Sequence, residues 1–260
     1  MLNVIRTGPD TGRPLVIAHG LFGSARNWGV IAKRLAETRP VLTLDKRNHG
    51  ESLWTDTHSY ADLAGDLAGV IERETDGIAD VLGHSMGGKA AMVLALSAPG
   101  RVGRLIVADI APVAYEHTQL PYVVAMREMD LEGLRSRTEA HARLAERVDD
   151  EGIRAFLLQS LDLKAEPPRW KLNLETLARE MDEILGWPEI AGRFDGPVLM
   201  LSGAASDYVR PEHRAPIRAL FPAARFAKIP GAGHWLHAEK PKEFVAAVEA
   251  FLTTQSAGSL

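Results

Sequence analysis

The sequence predicts an α/β fold, a mostly parallel, doubly wound sheet with an inserted α-helical cap. Three observations lead to this prediction. Over the first 112 residues, short apolar segments alternate with amphipathic segments of helical spacing, which is typical of a parallel sheet with helices on both faces. The alternation then stops, and residues 113–194 carry apolar residues at helical spacing alone. A strand, a tight turn with the pattern G-x-S-x-G and a helix follow each other between residues 79 and 98.

Composition excludes several classes of protein. The chain has 260 residues, no cysteine and a net charge of -4. Without cysteine there are no disulfides, thiolate metal sites or cysteine nucleophile. No cluster of Lys and Arg suggests a nucleic-acid surface, no apolar run approaches the ~18 residues of a membrane span, and no signal-peptide segment begins the chain. We therefore expect a cytoplasmic protein, monomeric or dimeric, without nucleic-acid or membrane partners.

The elements before residue 113 follow from apolar runs, turn signals and helix caps. Ser59 is expected to cap a helix that has Asp62 in its first turn. The loop at residues 45–52 is expected to be structural, with Asp45 and Arg47 holding it behind the G-x-S-x-G turn. Besides the strand that starts at residue 79, the predicted strands are 2–6, 15–18, 41–44 and 102–108, and the predicted helices are 27–37, 59–74 and 86–98.

The remainder divides into a helical segment and a return to the sheet. Four helices and no strand are predicted between residues 113 and 194, at 119–131, 138–148, 150–161 and 174–185. The sheet resumes with strands at 197–201 and 225–229, and the chain closes with a helix from Pro241. We expect a core of residues 1–112 and 195–260 and a cap of residues 113–194. The cap either roofs the site or is a helical subdomain without a gating role.

The G-x-S-x-G pattern consists of Gly83, Ser85 and Gly87. In a nucleophile elbow the serine lies on a strained turn between strand and helix, and flanking glycines allow close packing. The Met86 N–H then lies at a helix N-terminus, where it can stabilise an oxyanion. Five-residue patterns also recur by chance, but the strand before and the helix after favour a catalytic serine.

A second glycine-rich loop, residues 19–24 (HGLFGS), follows an apolar strand and is expected to supply another oxyanion donor. We assign this role to the Leu21 N–H and expect Phe22 to line the pocket. His19 is expected to be a structural anchor of the loop. A simple strand-to-helix turn is the alternative interpretation.

A serine hydroxyl needs a base at neutral pH, and histidine is the usual one. His234 follows the last strand in a glycine-rich turn, GAGHW, and is the predicted base. His84 lies next to the nucleophile and cannot easily turn back to it, and His237 is expected to be structural. The third member should be a carboxylate at the carboxyl end of a strand, and both Asp109 and Asp207 occupy such positions.

The motifs resemble those of the α/β-hydrolases, and specifically of the YbfF-type bacterial esterases. The resemblance covers nearly the whole chain and lies in residues 19–24 (HGLFGS), 47–52 (RNHGES), 83–90 (GHSMGGKA), 109–113 (DIAPV), 151–158 (EGIRAFLL) and 231–235 (GAGHW). The order Ser then His is that of the α/β-hydrolases. The resemblance implies a Ser-His-Asp triad that hydrolyses acyl esters or thioesters through an acyl-enzyme, without a cofactor or metal.

The resemblance also favours one of the two candidates for the carboxylate of the triad. In this fold the usual acid lies three residues after a strand-ending glycine, where this chain has Ser206, and Asp207 comes one place later. The YbfF-type pattern tends to carry serine there, which favours Asp109 over Asp207.

The substrate is expected to be a small-molecule acyl ester or thioester. The expected pocket residues are large and mostly apolar, namely Phe22, Tyr122, Met126, Phe156, Trp187 and Trp235, with Trp170 a further candidate in the cap. The alternatives are a cofactor-free C–C hydrolase or a haloperoxidase or perhydrolase on the same triad, and a non-catalytic ligand-binding relative. Halide displacement is disfavoured, because dehalogenases of this fold carry Asp where this chain has Ser85.

Overall fold

The computed structural model describes residues 1–254, and its centre is a seven-stranded sheet. In chain order the strands are β1 (Val4–Thr7), β2 (Leu15–Ala18), β3 (Val41–Leu44), β4 (Ala79–His84), β5 (Val102–Ala108), β6 (Leu161–Asp162), β7 (Arg169–Trp170), β8 (Val198–Gly203) and β9 (Ala224–Ile229). The sheet order is β1-β3-β2-β4-β5-β8-β9, and all neighbours are parallel except β1 and β3. The G-x-S-x-G strand, β4, therefore lies at the centre of the sheet.

Helices cover both faces of this sheet. In chain order the α-helices of the described residues are α1 (Gly29–Leu35), α2 (Tyr60–Glu74), α3 (Met86–Ser97), α4 (Leu120–Glu128), α5 (Arg137–Leu144), α6 (Glu151–Leu157), α7 (Leu174–Arg179), α8 (Met181–Leu185), α9 (Arg214–Leu220), α10 (Leu236–Glu239) and α11 (Pro241–Thr253), of which α4 to α8 lie between β5 and β8. Successive strand residues point to opposite faces. Val16 and Val81 thus belong to the apolar cluster that contains α2 and α3, whereas Ile17 and Leu82 belong to the one with α1 and α11.

Several predicted elements of the core are confirmed. The first strand is an edge strand, and every residue of β2 is buried. The Ser59 hydroxyl accepts a hydrogen bond from the Asp62 N–H at 3.2 Å and caps α2. The predicted helix at 27–37 is shorter, because a 3₁₀ turn over Ala25–Trp28 precedes α1. Residues 255–260, the end of the predicted core, lie outside the described residues.

Residues 113–194, called the insertion below, lie between β5 and β8. Two predictions for this segment are wrong. It contains a small antiparallel hairpin of β6 and β7, in which Leu161 pairs with Trp170. Two-residue strands are too short to show the alternation by which a strand is recognised. The helix predicted at 174–185 is two helices, α7 and α8, which meet at Glu180.

The insertion contacts the loop between β3 and α2. The Gly50 N–H donates to the Lys171 carbonyl at 2.8 Å, and the Lys171 Nζ pairs with the Glu51 carboxylate at 2.5 Å. The Asn173 side chain donates to Asn48 Oδ1 at 3.1 Å.

Within the described part of the chain, no helix has the length and apolarity that crossing a bilayer requires.

Candidate active site

Ser85 lies on a strained turn between β4 and α3. Its φ is +51° and its ψ is -124°, a conformation that non-glycine residues adopt rarely and at a cost of about 1–3 kcal/mol. A Cβ on Gly83 would lie 2.2 Å from the Gly87 carbonyl oxygen, and one on Gly87 would lie 2.3 Å from the Ala18 carbonyl oxygen. Only glycine therefore allows α3 to pack this closely against β2 and β4. This packing holds Ser85 at the carboxyl edge of the sheet.

His234 is oriented by three contacts. Its Nδ1 lies 2.8 Å from Asp109 Oδ2, and its carbonyl oxygen accepts a hydrogen bond from His84 Nε2 at 2.9 Å. The Tyr208 ring stacks on its imidazole, with centroids 3.9 Å apart and planes 17° apart. With Nδ1 directed at the carboxylate, Nε2 remains as the nitrogen that can accept a proton.

The structure brings Asp109 to His234, and it does not bring Asp207 there. Asp109 is fully buried at the end of β5, and its carboxylate also accepts hydrogen bonds from the Gly203 N–H at 3.1 Å and from the Ser206 hydroxyl. The Asp207 side chain is 80% exposed and pairs with Arg210 at 3.4 Å. The reason lies in the loop after β8, which turns Ser206 inward and Asp207 outward.

Two backbone N–H groups near Ser85 are free to bind an oxyanion. Neither Leu21 nor Met86 donates its N–H to another group among residues 1–254. The Phe22 N–H, by contrast, donates to His49 Nε2 at 3.2 Å and is not available. Of the two neighbouring amides in this loop, only that of Leu21 can therefore serve as a donor.

Buried polar side chains hold the loops around these amides. His19 Nε2 accepts the Lys46 N–H at 3.0 Å, as its predicted anchoring role requires. Asp45 accepts the Ala25 N–H at 2.7 Å and the Glu51 N–H at 2.9 Å. Arg47 pairs with Asp62 and Asp66 on α2 at 3.0 and 2.6 Å. The structural roles predicted for Asp45 and Arg47 are confirmed.

A cavity of about 250 Å³ connects these groups. Ser85, His234, Leu21 and Met86 all line it, and so do four of the expected pocket residues, namely Phe22, Tyr122, Phe156 and Trp235. Phe156 and Trp235 are neighbours, with ring centroids 5.5 Å apart. The insertion and the core thus both contribute to its walls.

Three expected pocket residues lie elsewhere, which corrects their assignment. Met126 is fully buried on α4, and its carbonyl accepts a hydrogen bond from the Trp170 indole N–H at 2.8 Å. Both residues belong to the apolar interior of the insertion. Trp187 packs, half-buried, against the same apolar cluster outside the cavity. Large apolar side chains fill a small helical segment as readily as they line a pocket.

Sequence reasoning missed several cavity residues, including Tyr60, Lys89, Tyr115, Ile184, Leu185 and Tyr208. Only Lys89 had a local signal, because it lies one helical turn after Ser85 within the GHSMGGKA motif. The others come from distant segments that fold together at this edge of the sheet.

The sequence model of the alpha/beta hydrolase family matches residues 15–248. The match spans both glycine-rich loops and the elbow, and it includes Asp109 and His234. The chain belongs to the alpha/beta hydrolase family. The predicted α/β-hydrolase fold is confirmed.

Relatives of this alpha/beta hydrolase are named esterases and lipases. It is 37% identical over 243 residues to Esterase YbfF of Escherichia coli, with 92% of each chain covered. It is 39% identical over 253 residues to sn-1-specific diacylglycerol lipase ABHD11 of Danio rerio, covering 94% of this chain and 80% of that protein. A solved structure titled marine microorganism esterase is 36% identical, with a TM-score of 0.91 over 96% of this chain and 98% of that one.

Buried histidines surround the site of this hydrolase. Burial lowers the pKa of His49 and of His237 to about 3, and that of His58 to about 2, with smaller contributions from neighbouring charged groups. Lys46 is also buried, its Nζ has no hydrogen-bond partner among residues 1–254, and burial lowers its pKa well below the ordinary value. His49 and His58, in the loop between β3 and α2, and His237 on α10 are therefore neutral imidazoles at neutral pH.

We expect these histidines to make the protein sensitive to acid. Below the unfolded-state pKa of about 6.5 the unfolded chain binds protons that the folded chain does not, so stability falls as the pH drops from 6.5 toward 3. At pH 5 each of the three histidines should remove about 2 kcal/mol from the free energy of unfolding. Urea unfolding between pH 7.5 and pH 5 measures this loss.

A pair of variants tests whether a buried histidine causes part of this loss in the free energy of unfolding. His58→Gln should reduce the loss between pH 7.5 and pH 5, whereas Ser97→Ala, at an exposed position of α3 without a titratable side chain, should leave it unchanged. Equal free energies of unfolding at pH 7.5 and pH 5 in the unaltered protein would contradict the prediction.

Proposed function

We propose that this protein is a serine hydrolase that cleaves acyl esters through an acyl-enzyme intermediate. Ser85 is the nucleophile, His234 the general base and Asp109 the carboxylate that orients it. The observation that supports this most directly is the 2.8 Å contact between His234 Nδ1 and Asp109 Oδ2, beside the cavity that also contains Ser85. The Ser85 hydroxyl itself has no hydrogen bond among the described residues, and catalytic bonds of this kind often tighten only when substrate binds.

In the first half of the reaction, Ser85 Oγ attacks the acyl carbon while His234 Nε2 takes the hydroxyl proton. The carbonyl oxygen becomes an oxyanion, and the Leu21 and Met86 N–H groups donate to it. The Asp109 carboxylate stabilises the imidazolium. The imidazolium then gives its proton to the departing alkoxide, so an alcohol leaves and the acyl group stays on Ser85.

The second half repeats these steps with water. His234 takes a proton from a water molecule as the water oxygen attacks the acyl-enzyme, and the same N–H groups hold the oxyanion. Collapse of this intermediate releases the carboxylic acid, and His234 returns the proton to Ser85 Oγ. The atoms balance with one water consumed for each ester cleaved.

The cavity favours an apolar acyl group. Tyr122 and Phe156 of the insertion, with Phe22 and Trp235 of the core, surround the space next to Ser85. Aromatic walls of this kind suit a hydrocarbon chain. The similarity to proteins named esterase and diacylglycerol lipase supports carboxylic esters as the substrate class. Thioesters react by the same steps and are a second class to assay.

The insertion is proposed to be the cap that sets acyl-chain preference. Phe156→Ala, which removes an aromatic wall, should raise kcat/KM for p-nitrophenyl octanoate relative to the acetate ester by about ten-fold. The measurement is kcat/KM over acetate, butyrate, hexanoate and octanoate esters.

Trp170→Ala is the matched control, because Trp170 is an aromatic residue of the insertion that lies outside the cavity and away from α8. This variant should keep the original chain-length profile. If both variants keep it and lose only stability, residues 113–194 are a structural subdomain and the cap assignment fails.

Two measurements test the proposed function, namely ester hydrolysis by the purified protein and covalent labelling of Ser85. Purified protein should hydrolyse p-nitrophenyl butyrate. A fluorophosphonate should abolish this activity by forming a bond from phosphorus to Ser85 Oγ with loss of fluoride, which adds the mass of the phosphonyl group to the peptide containing Ser85. Activity that survives complete labelling, or a label on another residue, would refute the proposed nucleophile.

A further inference from the structure

The end of α8 in the insertion is held by side chains of the core. The Tyr60 hydroxyl donates to the Ile184 carbonyl at 2.6 Å. The Lys89 Nζ donates to the Leu185 carbonyl at 2.8 Å and also to the Gly186 carbonyl. Three consecutive carbonyl groups thus receive donors from α2 and α3, and the Leu185 carbonyl also accepts the Tyr115 N–H at 3.0 Å.

These carbonyls need such donors. The last carbonyl groups of a helix have no partner within the helix, and leaving them buried and unpaired costs free energy. A cation is also favoured at this end by the helix dipole. Lys89 meets both requirements from a helix that begins directly after Ser85.

Lys89 is an unusual side chain for this place. It is only 1% exposed, and burial lowers its pKa to about 7. Among the described residues no charged group contributes to its pKa shift, and its Nζ faces the rings of Tyr115 at 4.8 Å and Tyr60 at 5.6 Å. Burying an ammonium group is costly, and here the two carbonyl groups and the aromatic rings offset only part of that cost, in keeping with the lowered pKa.

The held segment is also part of the cavity wall. Ile184 and Leu185 line the cavity, and so do the two donors, Tyr60 and Lys89. The position of the end of α8 therefore determines how far the cavity extends on this side. Lys89 connects that wall directly to the helix that carries the nucleophile.

We propose that Lys89 is a positioning residue for substrate specificity, which holds the end of α8 and thereby limits the length of the acyl chain. This inference rests on the proposed function, since it assumes that the cavity takes the acyl group. Lys89 acts through Ile184 and Leu185 and takes no part in bond cleavage. Without its donors the wall loosens, and longer chains gain more than short ones.

The test is Lys89→Met, which keeps a long apolar side chain and removes the donors. The measured quantity is the ratio of kcat/KM for p-nitrophenyl octanoate to that for the acetate, so a uniform loss of activity cancels. We expect this ratio to rise about ten-fold. Hydrogen exchange of the backbone amides in residues 181–187 should also become faster, in the absence of any substrate.

Lys171→Met is the matched control. Lys171 also joins the insertion to the core, through Glu51, but it lies outside the cavity. The control should change neither the ratio nor the exchange at residues 181–187. Tyr60→Phe removes only the hydroxyl that holds Ile184 and should shift both readouts in the same direction, so it provides the test if Lys89→Met does not fold.

The outcomes separate the two proposals. An unchanged ratio and unchanged exchange in the folded variants, with normal Ser85-dependent hydrolysis, would overturn the role of Lys89 alone. A ratio that rises equally in Lys171→Met would also overturn it. If the unaltered protein shows no Ser85-dependent hydrolysis, the proposed function fails, and the exchange measurement still decides whether Lys89 holds α8.

Discussion

Replacing Ser85 with alanine is expected to lower kcat for ester hydrolysis by about 10⁶ while the protein remains folded. The hydroxyl oxygen is the atom that forms the acyl-enzyme. Without it, the base has no hydroxyl proton to accept and no oxyanion forms for the N–H groups to stabilise. The turn should persist, because the close packing at Gly83 and Gly87 is independent of the Ser85 hydroxyl. The measurement is kcat for p-nitrophenyl butyrate, with circular dichroism to verify folding.

Ser97→Ala is the matched control for this variant. Ser97 lies at the other end of α3, is exposed and bonds only to carbonyl groups of its own helix. It should retain full activity. A folded Ser85→Ala protein with more than about a hundredth of the original kcat would exclude Ser85 as the nucleophile.

Replacing Asp109 with asparagine is expected to lower kcat by up to about 10⁴. Asparagine keeps the size of the side chain, but its amide group favours the wrong tautomer of His234 and does not stabilise the imidazolium. Asp109 also accepts hydrogen bonds from the Gly203 N–H and the Ser206 hydroxyl, so the thermal unfolding of the variant must be measured beside its kcat.

Asp207→Asn provides the comparison, because it makes the same chemical change on an exposed side chain that directly precedes Tyr208 in the chain. We expect this variant to keep nearly all of the activity. If Asp207→Asn lost most of its activity and Asp109→Asn kept it, Asp207 would be the triad acid, near the position that is usual in this fold. If neither change matters, the triad assignment is wrong in its third member.

The parts of the fold that were predicted correctly have local causes. A run such as residues 15–18 is apolar throughout because both faces of a central strand are buried. Ser59 and Asp62 cap α2 through groups three residues apart. The turn at Ser85 needs glycine on either side for reasons of backbone contact alone. Each of these features is encoded within a few residues.

The features that were missed depend on segments far apart in the chain. The two-residue strands β6 and β7 exist only because they pair with each other, and Met126 and Trp170 fill the insertion because its helices fold together. Lys89 contacts residues almost one hundred positions later, at the end of α8. Contacts between residues so far apart leave no periodic pattern in the sequence.

The amino-acid sequence by itself determined the central parallel sheet, the elbow at Ser85, the glycine-rich turn that presents His234 and the family that these motifs resemble. Only the tertiary structure decided that Asp109 rather than Asp207 meets His234, and which aromatic side chains of the insertion reach the cavity. The physical reason is that strands, turns and caps follow from interactions over a few residues. The partner of an imidazole follows instead from the strand order and from the direction in which a loop turns, because these bring residues 125 positions apart to within 2.8 Å.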